Sequence, residues 1–308
     1  MTKKLIRPVL IIVGATALAG GFGSYVWQKE HRLPLLEVYI FNLSNGRSMF
    51  IRTPEDKRIL IDGGSNSEII RKISKIIPFY SRRIDTVIAT NTEGKNVSGL
   101  IDVIERYDVD SVFIPKFTLE NLNLQTLTDQ TYSTFLEILT KKQIKTDELF
   151  MDQVIDLDNK TKLNIHFPAK PETFSYSKSS APELLFTISN NKNNISFLGN
   201  STKKIQKYIA NSSPDLFNVD VLIFAQSIIP SNVSSELIKK LNPANVIFSQ
   251  RVSTTPPKLS TSSKNKKEVV DPLSYLKSEN KFNIREKGTT KIVSDGRDVS
   301  ISYEDSYK

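Results

Sequence analysis

Residues 91–100 read Asn-Thr-Glu-Gly-Lys-Asn-Val-Ser-Gly-Leu, a polar stretch between two segments of clear periodicity. The preceding residues 84–90, Ile-Asp-Thr-Val-Ile-Ala-Thr, are rich in β-branched side chains and predict a buried strand. Apolar residues then recur at helical spacing from Leu100 to Tyr107, which predicts a helix over residues 97–107. A strand, a polar loop and a helix in this order indicate a candidate site in the loop.

The same patterns predict further elements outward from this loop. Strands are predicted over residues 36–43, 48–53, 58–62, 85–90, 111–115, 163–167, 184–189, 194–198, 220–224 and 245–248. Helices are predicted over residues 68–77, 97–107, 127–142, 203–210 and 234–241. Two halves of mixed strands and helices fit an α/β sandwich.

The loop resembles the Ser-His-x-Asp-x-Asp-His-x-x-Gly-Leu motif of the metallo-β-lactamase fold, in the version found in the ComEC competence (DNA-uptake) proteins. Residues 41–51 resemble the opening strand of that family and its Val-Gly-Gln-Gly-Asp turn, and residues 58–64 resemble its Leu-Ile-Asp-Gly-Gly strand end. The resemblance implies a four-layer αββα sandwich, with Asp62, Gly63, Gly64 and Gly99 in structural roles.

Later stretches follow the same order. Residues 197–200 resemble the family's Leu-Thr-Gly-Asp element, residues 221–227 its Leu-Lys-Val-x-His-His strand and residues 270–272 its late His-Pro. Residues 291–297 resemble the closing hairpin, so the resemblance covers nearly all of the chain from about residue 36.

In that family, histidines and carboxylates in these stretches bind two divalent metals. By resemblance, the corresponding positions here are Asn91, Glu93, Lys95, Asn96, Asn200, Gln226, Ser227 and Asp271. Zinc prefers imidazole, thiolate or carboxylate donors, and a neutral amide is a poor substitute. The ammonium of Lys95 also opposes a cation. We therefore expect no bound metal, no cofactor and no catalytic residue, and a degenerate pocket at these positions.

The chain's few histidines and its lack of cysteine support the expectation that no metal is bound. The sequence has two histidines, His31 and His166, and neither lies at a ligand position. It has no cysteine, which excludes disulfides and thiolate metal sites.

Four alternatives remain open for the loop. Asn96 is a plausible N-cap of a helix that starts at Val97, as in an ordinary turn. The oxygens of the pocket could instead form a magnesium or calcium site, and the chain would then be a metal-dependent phosphodiesterase or nuclease. Lys95, next to a helix N-terminus, could hold an anion such as phosphate, or it could simply pair with Glu93.

Residues 8–27 form an uncharged, apolar stretch of twenty residues, flanked by lysine and arginine on both sides. This length is sufficient to span a membrane as a helix, and Tyr25 and Trp27 suit the lipid interface. We expect an uncleaved single-pass anchor with the following domain outside the cytoplasm, although Ala17-Leu18-Ala19 resembles a signal-peptidase site. The predicted division is residues 1–33 for the cytoplasmic tip, anchor and linker, and residues 34–308 for one domain.

Composition adds little about partners. With 42 Lys+Arg and 33 Asp+Glu the net charge is +9, which is compatible with nucleic acid or another anionic ligand but identifies neither. Residues 253–267 form a basic insertion without aromatic residues, which is more typical of a solvated loop than of a DNA groove. The sequence predicts a membrane-anchored, non-catalytic binding or scaffolding module, linked to DNA uptake or the cell envelope by resemblance alone.

Overall fold

Buried β-branched runs build two sheets in the part of the chain that the structure describes. The computed structural model describes residues 33–116, 130–170, 173–174, 183–213, 218–225, 232–249 and 272–304. Several predicted features lie outside these ranges. They are the predicted membrane segment (residues 8–27), His31, the basic insertion (residues 253–267) and the pocket candidates Gln226, Ser227 and Asp271. Among the helices of the described ranges, none is both long and apolar enough to cross a membrane.

The first sheet has eight strands in the order β15-β14-β1-β2-β3-β4-β5-β6. Its strands are β1 (Leu36–Ile40), β2 (Met49–Arg52), β3 (Arg58–Ile61), β4 (Arg83–Ile88), β5 (Asp108–Pro115), β6 (Lys145–Leu149), β14 (Thr290–Ser294) and β15 (Val299–Tyr303). Strands β3 to β6 are parallel, whereas β1, β2, β14 and β15 form antiparallel pairs.

The second sheet has seven strands in the order β13-β12-β11-β10-β9-β8-β7. Its strands are β7 (Val154–Asp156), β8 (Thr161–Phe167), β9 (Leu185–Asn190), β10 (Asn193–Gly199), β11 (Val221–Phe224), β12 (Asn245–Phe248) and β13 (Lys281–Asn283). Strands β10 to β13 are parallel, and β7 to β10 form antiparallel pairs.

Helices cover the outer face of each sheet. They are α1 (Glu68–Ile73), α2 (Gly94–Arg106), α3 (Gln130–Lys141), α4 (Lys203–Ser212) and α5 (Ser235–Leu241). The short helix α6 (Ile284–Lys287) instead contributes Ile284 to the apolar cluster between the sheets. Helices α1 to α3 share an apolar cluster with the first sheet, and α4 and α5 share one with the second.

A third apolar cluster lies between the sheets and includes Val38, Ile59, Phe186, Ile195 and Phe197. Full burial of one such side chain contributes about 1.5–3 kcal/mol relative to exposure. Helix, sheet, sheet and helix therefore follow one another as layers, and the predicted αββα arrangement is confirmed for the described residues.

The parallel strands give the sandwich two distinct edges. The carboxyl ends of β3, β4, β10, β11 and β12 lie at one edge, which we call the site edge. The chain enters β1, β3 and β4 at the opposite edge, which we call the entry edge. The site edges of the two sheets meet, because the N–H of Leu184, just before β9, donates to the carbonyl of Thr90, just after β4.

The prediction that Asn96 caps a helix starting at Val97 is wrong. The N–H groups of Asn96 and Val97 donate to the carbonyl of Glu93 at 2.8 and 3.2 Å, so α2 starts at Gly94 with Glu93 as its N-cap. The helix therefore takes in the second half of the polar loop, and Asn96 lies in its first turn, buried at 1% exposure.

Candidate functional site

Asp62 is the central carboxylate of the site edge. It follows β3 with φ +56°, a left-handed conformation that few non-glycine residues adopt, and it is 1% exposed. Its Oδ1 accepts from the N–H of Thr90 at 2.8 Å, and its Oδ2 accepts from Thr90 Oγ1 at 2.6 Å and from Arg47 Nε at 2.7 Å. Because both carboxylate oxygens of Asp62 accept hydrogen bonds from these three donors, the charged group can be buried.

Arg47 brings a largely buried positive charge to the same place, with 12% of its side chain exposed. It lies in the turn between β1 and β2, and its Nη1 is 2.5 Å from Oε1 of Glu183. Its Nη2 donates to the hydroxyl of Thr90, and its Cζ lies 5.2 Å from the centre of the Phe197 ring. Burial disfavours the charge, but the carboxylates of Glu183 and Asp62 outweigh it and raise the pKa of Arg47.

Glu183 completes this ion-pair network from the second sheet. It lies two residues before the start of β9 and is 5% exposed, and its Oε2 accepts from the N–H of Asn200 at 2.7 Å. Burial raises the pKa of Glu183, against the lowering effect of Arg47. Gly199 has φ +51°, and a Cβ there would lie 1.9 Å from Glu183 Oε1, so glycine is required for this approach.

The amides of the predicted pocket form a second cluster at the start of α2. Oδ1 of Asn91 accepts from Asn96 Nδ2 and from the N–H of Glu93, both at 3.1 Å. Oε2 of Glu93 lies 3.3 Å from Asn96 Nδ2 and 3.0 Å from Lys95 Nζ. The Lys95–Glu93 ion pair, one of the two alternatives for Lys95, is therefore formed.

Close backbone contacts hold the two parts of the site edge together. A Cβ on Gly46, which has φ +75°, would lie 1.8 Å from the carbonyl oxygen of Lys95. A Cβ on Gly99 would lie 2.0 Å from the carbonyl oxygen of Gly63, and the N–H of Gly99 donates to the carbonyl of Gly64. The glycines thus place the turn that carries Arg47 directly against the first turns of α2.

A cavity of about 30 Å³ adjoins the ion-pair network. It lies between the ends of β1, β3, β11 and β12, and its polar lining includes Arg47, Asp62, Ser249 and Arg285. Arg285 donates to Ser249 Oγ at 3.1 Å and to the carbonyl of Leu43. This volume has room for one or two water molecules among the described residues.

The predicted pocket residues are only partly brought together. Asn91, Glu93, Lys95 and Asn96 form one cluster, whereas the exposed Asn200 contributes its backbone N–H to Glu183. His166 lies away from this site: its Nε2 is 2.8 Å from Thr187 Oγ1 in the second sheet, and burial lowers its pKa to about 4.

These side chains do not fit a zinc site. Within the described ranges, no group of three or more His, Cys, Asp and Glu side chains is placed to hold a metal ion. The carboxylates of Asp62 and Glu183 are bound to Arg47 and to N–H groups, and that of Glu93 is bound to Lys95 and two amides. A divalent cation near them would also face the buried guanidinium charge.

Two residues of the network, Arg47 and Glu183, were absent from the candidate set. Arg47 stands where the resembling Val-Gly-Gln-Gly-Asp turn ends in aspartate, and that reversal of charge was a usable signal. Glu183 gives a weaker signal, a lone carboxylate directly before an apolar strand.

Solved structures with a similar layout were found by comparison. Zn²⁺-bound PqqB from Methylobacterium extorquens is 10% identical over 69% of this chain and 87% of its own, with a TM-score of 0.45. YhfI from Bacillus subtilis, a metallo-β-lactamase fold protein, is 12% identical over 70% and 85%, with a TM-score of 0.44. Unliganded yeast PDE1 is 10% identical over 72% and 89%, with a TM-score of 0.45.

These similarities concern the fold alone, an α/β two-sheet, metallo-β-lactamase-like layout, and say nothing about activity. No protein-family profile matches the chain. No curated protein sequence matches it either.

Proposed function

We propose that the chain is a membrane-anchored, non-catalytic binding or scaffolding module with a metallo-β-lactamase-like fold. The observation that supports this is the guanidinium of Arg47, which lies between the carboxylates of Asp62 and Glu183 at the site edge. In this position an internal cation neutralises the two carboxylates at the site edge.

Electrostatics supports this view of the site edge. Two buried carboxylates without a cation would be strongly destabilising, so the fold needs a positive charge there. Arg47 supplies that charge permanently, because a guanidinium does not lose its proton in proteins. The site edge therefore needs no metal for its stability, and the connection with DNA uptake or envelope assembly rests on the sequence resemblance alone.

Metal content tests this proposal. After purification without chelator, elemental analysis should find far less than one equivalent of zinc, manganese or magnesium, and EDTA should leave the melting temperature unchanged. About two equivalents, together with a phosphodiesterase activity and a melting temperature that both fall with EDTA, would instead support the hydrolase alternative.

The anchor and the location of the domain are proposed from residues 8–27 and their flanking charges. The full chain should stay in the membrane fraction after alkaline extraction, and external protease should degrade the domain in spheroplasts. Release of a mature chain that begins near residue 20 would show cleavage and overturn the anchor.

We also propose an anionic ligand, such as phosphate or a nucleic-acid backbone, at the start of α2. Lys95 is 37% exposed at its side chain and its charge is shared with Glu93, so it can turn to an anion at small cost. Lys95→Ala should weaken phosphate binding and reduce its salt dependence, while Lys116→Ala, at the end of β5, should change neither. Equal affinities in all three proteins at two salt concentrations would mean that the ion pair is only structural.

A further inference from the structure

The loop between α1 and β4 carries an unusually exposed aromatic pair. Phe79 is 88% exposed and Tyr80 is 53% exposed, and their rings meet edge to face with centroids 5.4 Å apart. Exposing a phenyl ring to water costs free energy that burial elsewhere would recover. The pair is held at the tip of the loop, between Pro78 and a β-strand, so it forms a preformed apolar point on the surface.

Basic residues flank this aromatic pair in the sequence. Residues 71–83 contain five basic residues and no acidic one: Arg71, Lys72, Lys75, Arg82 and Arg83. Arg83 pairs with Asp110 at 2.5 Å and lies 3.6 Å from Asp85, whose carboxylate also pairs with Lys57 at 3.3 Å. Arg82 is exposed two residues after Tyr80, and its carbonyl accepts from the N–H of the exposed Asp108 on β5. Residues 75–82 themselves contain two basic residues, both exposed, and no acidic one, so the loop is basic.

The position of the loop in the sheet supplies the third observation. The loop leads into the start of β4, and the chain enters the domain at the start of β1 on the same entry edge. Three strand spacings separate β1 from β4, a distance of about 14 Å. The cluster of Arg47, Asp62 and Glu183 lies at the opposite, site edge.

We infer that residues 75–83, the aromatic loop, dock on an anionic lipid surface, with Phe79 and Tyr80 in the headgroup region and the basic residues over the lipid charges. Aromatic residues beside lysine and arginine are the usual composition of a membrane-interface contact. The inference rests on the proposed anchor in one respect, which is that residues 8–27 would keep the chain at a membrane. It orients the domain so that the site edge faces away from the lipid.

The full chain, reconstituted into vesicles, offers a direct test. The natural sequence has no cysteine, so Phe79→Cys, Val154→Cys and Ser24→Cys each give one site for an environment-sensitive fluorophore. Val154 is the matched control, because it is 54% exposed and lies outside the aromatic loop, on the edge strand β7 of the second sheet, where it pairs with Asn164 in the middle of β8. Ser24 lies in the proposed anchor.

In vesicles that contain phosphatidylglycerol, brominated lipid should quench the label at position 79 but leave the label at position 154 unquenched. In the Phe79→Cys chain, Arg82→Gln should shift the docking equilibrium toward the undocked form about fivefold, the effect of one basic residue near an anionic surface. Lys116→Gln at the site edge should leave it unchanged. Vesicles of phosphatidylcholine alone should give much weaker quenching at position 79.

The three labels separate the failure of this inference from the failure of the anchor. Quenching at position 24 with none at position 79 would overturn the aromatic-loop contact and leave the anchor intact. Quenching at position 79 with none at position 24 would overturn the anchor and support a peripheral contact. Equal quenching at positions 79 and 154 would mean that the domain has no preferred orientation, which also overturns the inference.

Discussion

Arg47 shows how one residue can determine the electrostatics of a whole edge. Its ion pairs with Asp62 and Glu183 are almost completely removed from water, where an unpaired charge is far more costly than a missing contact. Removal of the arginine would leave two buried carboxylates facing each other.

We therefore predict that Arg47→Met lowers the free energy of unfolding at neutral pH by about 3–5 kcal/mol. Urea denaturation measures this loss. The matched control is Arg71→Met, which removes an ion pair with Glu68 whose arginine is 70% exposed and should cost less than about 1 kcal/mol. Adding Glu183→Gln should restore part of the lost stability, and losses of equal size in the two arginine variants would contradict this role.

His166 gives a prediction about pH. Burial lowers its pKa from 6.5 to about 4, so above pH 6.5 the ring is neutral in both the folded and the unfolded chain. Between these values only the unfolded chain binds the proton, and the folded state therefore loses stability as the pH falls, by about 3 kcal/mol once the pH is below 4.

His166→Gln removes this titration while a polar side chain remains beside Thr187. Denaturation of both proteins between pH 7 and pH 4 should show that the variant loses less stability than the natural chain. Parallel stability curves would contradict this prediction. They would mean that the ring is also protonated in the folded state between pH 6.5 and pH 4, with its charge stabilised by another group.

At the scale of elements, the contact of α2 with the loop after β3 depends on two glycines, Gly99 in the helix and Gly63 in the loop. An alanine inside a helix is normally about 1 kcal/mol more favourable than a glycine. At Gly99 the sign should be reversed, because the Cβ would lie 2.0 Å from the carbonyl oxygen of Gly63.

Gly99→Ala should therefore lower the melting temperature, whereas Ser98→Ala, at the neighbouring position of the same helix, should be neutral or slightly stabilising. Thermal unfolding by circular dichroism measures both. A stabilised Gly99→Ala protein would show that α2 can move away from the strand end without loss.

The sequence also shows its limits at this scale. Apolar periodicity was sufficient to predict most buried strands and the middle of each helix that packs on them. It missed β6, because this strand at the sheet margin, Lys-Thr-Asp-Glu-Leu, buries only Leu149 fully. The start of α2 was placed too late, because glycine, lysine and asparagine in its first turn are residues that single-residue preferences assign to loops.

At the scale of the whole molecule, the layered architecture could be predicted, since each layer has its own local pattern. The ion pair between Arg47 and Glu183 could not, because it joins residues that are far apart in the chain and lie on different sheets. The sequence around Arg47 contains no information about which distant carboxylate will pair with it. The amide cluster, by contrast, lies within six consecutive residues, so its members are close together in the sequence as well as in the structure.

The strand order also has a consequence for how the protein is made. Strand β1 is the first strand of the domain, yet one of its two neighbours is β14, near the end of the chain. During synthesis β1 can pair with β2 at once, but its other side stays open until residues 290–294 have emerged. All five of its residues are buried in the finished sheet and all but Glu37 are apolar, so the unpaired strand is open to pairing with another chain. The domain can therefore complete its first sheet only after nearly all of it has been synthesised, and incomplete chains of this protein are expected to aggregate.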